Sequence, residues 1–309
     1  MKKPSDINLS VQMGPLTLQN PVTTASGTFG YGIEYAPYCD ITRLGGVTVK
    51  GINLEPRKGH CQPRIVETAS GMLNCIGLQN TGVDVFIKEK LPFFHNIPTA
   101  CIVNVNGSSL DEYIAVTEKL SDQKGVAALE VNVSCPNVSK GGIAFGVDPL
   151  MTERVTKELR GRTHLPLIVK LSPNVTDIST IARAAENGGA DALSLINTLL
   201  GMAIDTKTRK PVLSNITGGL SGPAIKPVAL RCVWQVYNAV SIPIIGMGGI
   251  SSGQDAIEFI LAGATAISVG TANFSDPGIS VKILDQIIEY CCQNSIDSIS
   301  SLTGKLDVS

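Results

Sequence analysis

The sequence predicts an α/β protein folded as a closed (β/α)8 TIM barrel, with a small strand-rich insertion over its C-terminal mouth. Three observations point there: eight short β-branched runs, helical patterns ending in glycine between some of them, and two connections too long for ordinary βα loops. The runs are PVTTASG (21–27), GGVTVKG (45–51), TACIVNVNG (99–107), ALEVNVSCP (128–136), LPLIVKLSP (165–173), ALSLINT (192–198), IPIIGMGG (242–249) and AISVGTA (266–272). Several lack polar–apolar alternation, as parallel strands covered on both faces do. DISTIARAAENGGAD (177–191) and GQDAIEFILAGAT (253–265) read as amphipathic helices that stop in glycine before the next strand. Eight βα units in 309 residues favour a closed barrel over the alternative, an open doubly wound sheet.

The chain, 1–309, reads as a single barrel domain interrupted by insertions at about 52–98 and 199–241. Both are long and glycine-containing, candidates for a subdomain or lid over the mouth. INLSVQMGPLTLQN reads as a hairpin turning at Gly14-Pro15 and covering the barrel bottom, and the tail SIDSISSLTGKLDVS is expected to be frayed in part.

A formal net charge of -1, with no Lys/Arg block, gives no electrostatic footprint for nucleic acid or an anionic membrane. No segment approaches the ~18 apolar residues of a membrane helix. The eight cysteines show no C-x-x-C spacing, so they are expected to be reduced thiols in a cytoplasmic protein, without a metal site. Cys291-Cys292 is expected to be structural or incidental, and His60, His95 and His164 to be solvated.

Carboxyl ends of barrel strands converge on one mouth. Here they carry Ser26, Lys50, Asn104 with Asn106, Asn132 with Cys135 and Asn137, Lys170, Asn197 with Thr198, Gly248 with Gly249, and Gly270 with Thr271. The late glycine turns, IIGMGGISSG and SVGTANF, suit close backbone approach to phosphate, on a phosphorylated substrate or on a cofactor such as FMN; plain strand-to-helix turns are the alternative. Lys50 and Lys170 end apolar strands; a surface lysine at a strand terminus is the ordinary alternative, and the pair favours charge placed in the mouth, where the Lys170 ammonium would stabilise an electron-rich flavin. Asn74, Asn132, Asn137 and Asn197 offer paired donors and acceptors that complement a flat heterocycle with amide edges, although each also suits a turn or cap. Cys135 lies just past a strand and is fixed by Pro136. With no histidine near it in sequence, an acid/base role fits a thiol there better than a Cys-His nucleophile, and buried packing is the ordinary alternative.

Together NPVTTASGTFGYG, LGGVTVKGINLEPR, GMLNCIGLQNTGV, VNVSCPN, IVKLSPNVTD, INTLLGMAID, GGLSGPAIKP, IGMGGI and SVGTANF, spanning 20–274, resemble the class 1 dihydroorotate dehydrogenases of pyrimidine (UMP) biosynthesis. The resemblance implies an FMN-containing barrel that oxidises dihydroorotate to orotate. It makes Cys135 the base that takes the C5 proton while hydride passes from C6 to the flavin. It implies a substrate cradle of Lys50, Asn74, Cys75, Ile76, Gly77, Leu78, Asn132, Asn137, Asn197 and Thr198, with the loop Leu73 to Leu78 closing over it. The FMN site it implies is Ser26, Lys50, Gly51, Asn104, Asn132, Lys170, Ile196, Gly222, Gly248, Gly249, Gly270 and Thr271.

ASGTFGYGIEYAPY and KGINLEPRKGH look like the NAD-linked 1B branch, whose members form a homodimer within a heterotetramer. Their electron-transfer subunit carries FAD and a [2Fe-2S] cluster. This chain has neither a four-cysteine cluster spacing nor a dinucleotide fingerprint, so on this reading it needs that partner to reach NAD. A fumarate-dependent 1A-like enzyme and a dihydropyrimidine dehydrogenase-like enzyme are the redox alternatives; a phosphate-binding lyase or isomerase barrel is the non-redox one. Cys75 stands where serine or alanine is usual, and is expected to lie close to Cys135.

Overall fold

The computed structural model describes residues 3–134 and 145–308. Eight parallel strands close into a barrel in chain order: β1 Val22–Thr24, β2 Gly46–Ile52, β3 Ala100–Val105, β4 Ala128–Asn132, β5 Leu167–Lys170, β6 Ala192–Leu195, β7 Ile244–Met247 and β8 Ala266–Val269. Each falls inside or within one residue of a predicted run. The runs overshoot the ladders at the C-terminal end, because the polar residues past the last ladder position line the mouth instead of pairing.

Among the described residues, six connections carry an α-helix of nine residues or more: Leu110–Ser121, Pro149–Arg160, Ile178–Asn187, Lys226–Tyr237, Gly253–Leu261 and Ile279–Gln293. Their starts are chemically marked. Ser109, Asp148, Asp177 and Ser252 each accept a hydrogen bond from a first-turn amide, satisfying donors that the helix itself leaves open. The first two units depart from the regular pattern. After β1 the chain makes only turns and the short 3-10 segment Ile41–Arg43, and after β2 the helical segments between Val83 and Asn96 are brief.

Each predicted insertion contributes one hairpin to a single four-stranded antiparallel sheet. Its order is Leu199–Met202, Thr217–Ser221, Gly71–Asn74, Ile65–Thr68. The predicted bounds were too wide. Lys226–Tyr237 belongs to the barrel wall, with Ala229, Cys232, Val233 and Val236 buried on one helical stripe, and Phe86, Leu91 and Phe94 likewise join the main core. At the opposite end, Val11–Met13 pairs with Leu16–Leu18 through a turn at Gly14, whose φ of +60° suits glycine. A side chain at Gly14 would strike Asp191, just ahead of β6, which puts the hairpin at the barrel bottom as expected.

The tail is tied down as far as Leu306. Ser298 bridges Asn8, Ile299 is buried, and the amides of Gly304 and Leu306 donate to Ile260 and Leu261. Cys291 is buried in the core and burial pushes its thiol pKa up, in keeping with a structural role. The three histidines are exposed, and His60 is also tied through Nδ1 to the Cys75 carbonyl at 3.0 Å.

Candidate active site

The mouth holds a cavity of about 1010 Å³, roofed by the inserted sheet. That is the upper end of the range for ligand pockets, with room for more than one small substrate.

Its floor is a polar layer inside the barrel. Glu130 of β4 accepts from the Asn104 amide at 2.6 Å and from the Ser194 hydroxyl at 2.8 Å, while Lys170 Nζ lies 3.7 Å away and donates to Ser26 at 3.2 Å. Glu130 reaches past β5 to β6, and Lys170 reaches across to the end of β1, so all these side chains point inward. None of Asn104, Glu130, Lys170 and Ser194 is more than 5% exposed, so their polar groups depend on one another for hydrogen bonds. Glu130 and Ser194 had not been singled out from sequence. The available signal was a carboxylate in the otherwise apolar run ALEV.

Above this layer the amides form a belt. Asn132 donates to Asn106 at 2.9 Å, and Asn197 donates to both Asn132 at 3.2 Å and Ser134 at 3.0 Å. Asn197 also accepts from the Thr198 amide at 2.8 Å. Gly51 lets the belt and floor close up, since a Cβ there would lie 2.0 Å from Asn106 and 2.7 Å from Asn104. Lys50, one residue before it, lines the same cavity. Burial pushes its ammonium below the ordinary lysine pKa, and the Arg64 guanidinium adds to the effect.

The roof supplies Asn74, which donates to the Gly219 carbonyl at 3.3 Å, together with Ile76, Gly77 and Leu78. Cys75 is the exception. Strand alternation turns it away from Asn74 into a small buried cluster with Leu73 and Leu213, 3.9 Å from Ser214 Oγ, and it does not line the cavity. Cys135 and Asn137 lie outside the described residues, and with them the expected proximity of Cys75 to Cys135.

The fourth wall is backbone. Gly222, Gly248 and Gly249 have φ of +95°, +130° and +73°, and line the cavity with Ile196, Gly270 and Thr271. A Cβ on Gly270 would meet nothing closer than 3.5 Å, so the missing side chain leaves ligand space. Thr271 is tied to the roof by its hydroxyl, 2.8 Å from Ser221 Oγ. The buried Ser268 hydroxyl also lines the cavity, with no partner among the described residues. These features fit FMN: glycine turns for phosphate, an ammonium over a carboxylate for an electron-accepting ring, and an amide belt beside it. Among the described residues no helix is long and apolar enough to cross a membrane.

A protein described as dihydroorotate dehydrogenase B (NAD(+)), catalytic subunit, from Desulforamulus reducens is 59% identical over 96% of this chain and 98% of its own length. Proteins of the same description from Parabacteroides distasonis, covering 97% of this chain and 98% of their own length, and Geotalea daltonii, covering 100% of both, are each 56% identical. The crystal structure of DHODH in complex with ferulenol from Eimeria tenella superposes with a TM-score of 0.78 at 24% identity, covering 96% of this chain and 88% of that one, a likeness of fold. The family profile described as dihydroorotate dehydrogenase matches residues 8–291, and the chain therefore belongs to the dihydroorotate dehydrogenase family.

Proposed function

We propose that this chain is the catalytic subunit of an NAD-linked dihydroorotate dehydrogenase, oxidising (S)-dihydroorotate to orotate in pyrimidine biosynthesis. The observation that carries it is one cavity lined at once by Lys50, the Asn106–Asn132–Asn197 belt and the Gly248-Gly249 and Gly270-Thr271 turns. Bound FMN would accept the hydride from C6 and pass electrons to NAD through a partner subunit carrying FAD and a [2Fe-2S] cluster.

The chain's own residues do the rest. The Lys50 ammonium pairs with the substrate carboxylate. Asn74, Asn132, Asn137, Asn197 and Thr198 read the amide edges of the ring. Cys135, as thiolate, takes the C5 proton, so that the proton and the hydride leave adjacent carbons and the double bond forms between them. Ser26, Gly51, Asn104, Lys170, Ile196 and Gly222 would hold the ring side of FMN, and the last glycine turns would hold its phosphate. Ile76, Gly77 and Leu78, in the roof loop, exclude water. The assembly we infer is a cytoplasmic heterotetramer built on a homodimer of this chain.

An anaerobic absorbance spectrum of the purified chain tests this. We expect a flavin spectrum that bleaches on adding dihydroorotate. A flavin that stays oxidised refutes the substrate, and a colourless protein that cannot be reconstituted with FMN refutes the redox reading. Cys135→Ser is expected to retain FMN and to slow flavin reduction on the order of 10²-fold or more at neutral pH, since a hydroxyl is a far weaker base. Unchanged reduction removes Cys135 from that role.

A further inference from the structure

We propose that Glu130 is a positioning residue that sets the charge and orientation of the barrel floor beneath the flavin, acting through Lys170 and Asn104. The inference rests on the flavin part of the function proposed above, and not on the identity of the substrate.

Glu130 is 1% exposed and lies one layer beneath the cavity, which it does not line, whereas Lys170 and Asn104 both line it. Both carboxylate oxygens act as acceptors, from Asn104 at 2.6 Å and Ser194 at 2.8 Å, with Lys170 Nζ 3.7 Å from the first. A buried ion pair is seldom the most stable way to fill such a space, because apolar side chains of similar volume avoid the desolvation cost. The pair therefore calls for a reason other than packing, and its position supplies one.

Lys170 is held between Glu130 and Ser26, which fixes the ammonium at the floor and offsets part of its charge. Asn104 is held by its amide nitrogen, which turns its oxygen toward Gly51 and the cavity. One carboxylate thus governs how much positive charge the floor presents and which end of the neighbouring amide faces the ligand. An ammonium beneath an electron-accepting ring favours its electron-rich state. Removing the opposing carboxylate strengthens that effect.

Glu130→Gln keeps the shape and the acceptor toward Asn104 and removes the charge. In the FMN-loaded protein at pH 6.5 the midpoint potential of the flavin is expected to rise. The same substitution in a Lys170→Met background is expected to raise the potential by much less, because the ammonium through which Glu130 acts is gone. A potential that stays put or falls in Glu130→Gln, or that rises equally in both backgrounds, overturns the proposal.

Should the double variant fail to fold, Ser194→Ala substitutes for it. Losing the Ser194 hydrogen bond loosens the carboxylate and should shift the potential measurably without changing any charge; no shift there counts against the proposal. A dye-coupled titration reads the potential without dihydroorotate. A failed substrate assignment therefore shows as a wild-type flavin that dihydroorotate does not bleach, and a failed Glu130 assignment as an unmoved potential. Wild-type protein unable to hold FMN overturns both.

Discussion

The barrel and its roof solve the same problem, making a sheet, with very different margins. The barrel strands are buried on both faces, and their side chains join one continuous core that includes the surrounding helices. The roof sheet buries only Leu73, Cys75 and Leu213 in its own cluster, and leaves Ile65, Leu200 and Met202 about half exposed or more, at 49%, 69% and 48%. Buried apolar contact largely sets the free energy of local opening. The barrel is therefore the rigid frame that fixes Lys50, Lys170 and the amide belt. The roof, carrying Asn74 and Leu78, is the part that can open without unfolding the rest.

Two glycines with equal clashes allow a test weighted against the roof, since Gly71 also has a φ of +157°. A Cβ on Gly45, just ahead of β2, would lie 2.0 Å from the Asn20 carbonyl oxygen, and one on Gly71, in the roof, would lie 2.0 Å from that of Ser221. Gly45→Ala is expected to cost about 3 kcal/mol of global stability, read from the denaturant midpoint at unchanged slope, because the barrel cannot yield. Gly71→Ala is expected to cost about 1 kcal/mol or less globally, since the roof can shift, and to raise KM for dihydroorotate on the order of 10-fold. Equal losses of stability would mean that the roof is as rigid as the barrel.

Lys50 sharpens the contrast from the frame side. Burial lowers its pKa from 10.5, so the unfolded chain holds the proton more tightly over the window just below that value, and stability rises with pH through it. Lys50→Met should make the ligand-free protein more stable than wild type at pH 7. That advantage should shrink as pH climbs toward 10.5, while dihydroorotate binding is lost. A constant gap across pH would place the Lys50 ammonium in water. The smallest effect is expected from Ser221→Ala, which removes the hydroxyl contact between roof and Thr271. It should cost about 1 kcal/mol or less and appear as faster amide exchange in residues 65–74 with the barrel strands unchanged.

Much of the site was legible because strand ends in a closed barrel converge, so a list of ends is already a list of neighbours. Ser26, Lys50, Asn104, Asn132, Lys170, Asn197 and the late glycines all line the cavity on that basis. Glu130 was hidden because a period-2 strand shows only that a side chain alternates, not whether it faces helices or the barrel axis. Cys75 misled for a related reason, since it follows Asn74 directly at the end of a strand and turns to the opposite side, with Leu73. The roof sheet was only half visible. Pairing Gly71–Asn74 with Thr217–Ser221 joins segments almost half the chain apart, and no local pattern specifies a partner at that distance.

The sequence by itself determined what local chemistry can encode: where the eight strands lie, which helices are capped, and which polar groups stand at the mouth. Burial and short-range hydrogen bonding fix those choices residue by residue. Only the tertiary structure decided that Glu130 meets both Asn104 and Lys170, that two distant insertions share one sheet, and that the tail is pinned to Ile260 and Leu261. Such contacts depend on the closure of the whole barrel, because each partner supplies the hydrogen bond that the other's burial demands.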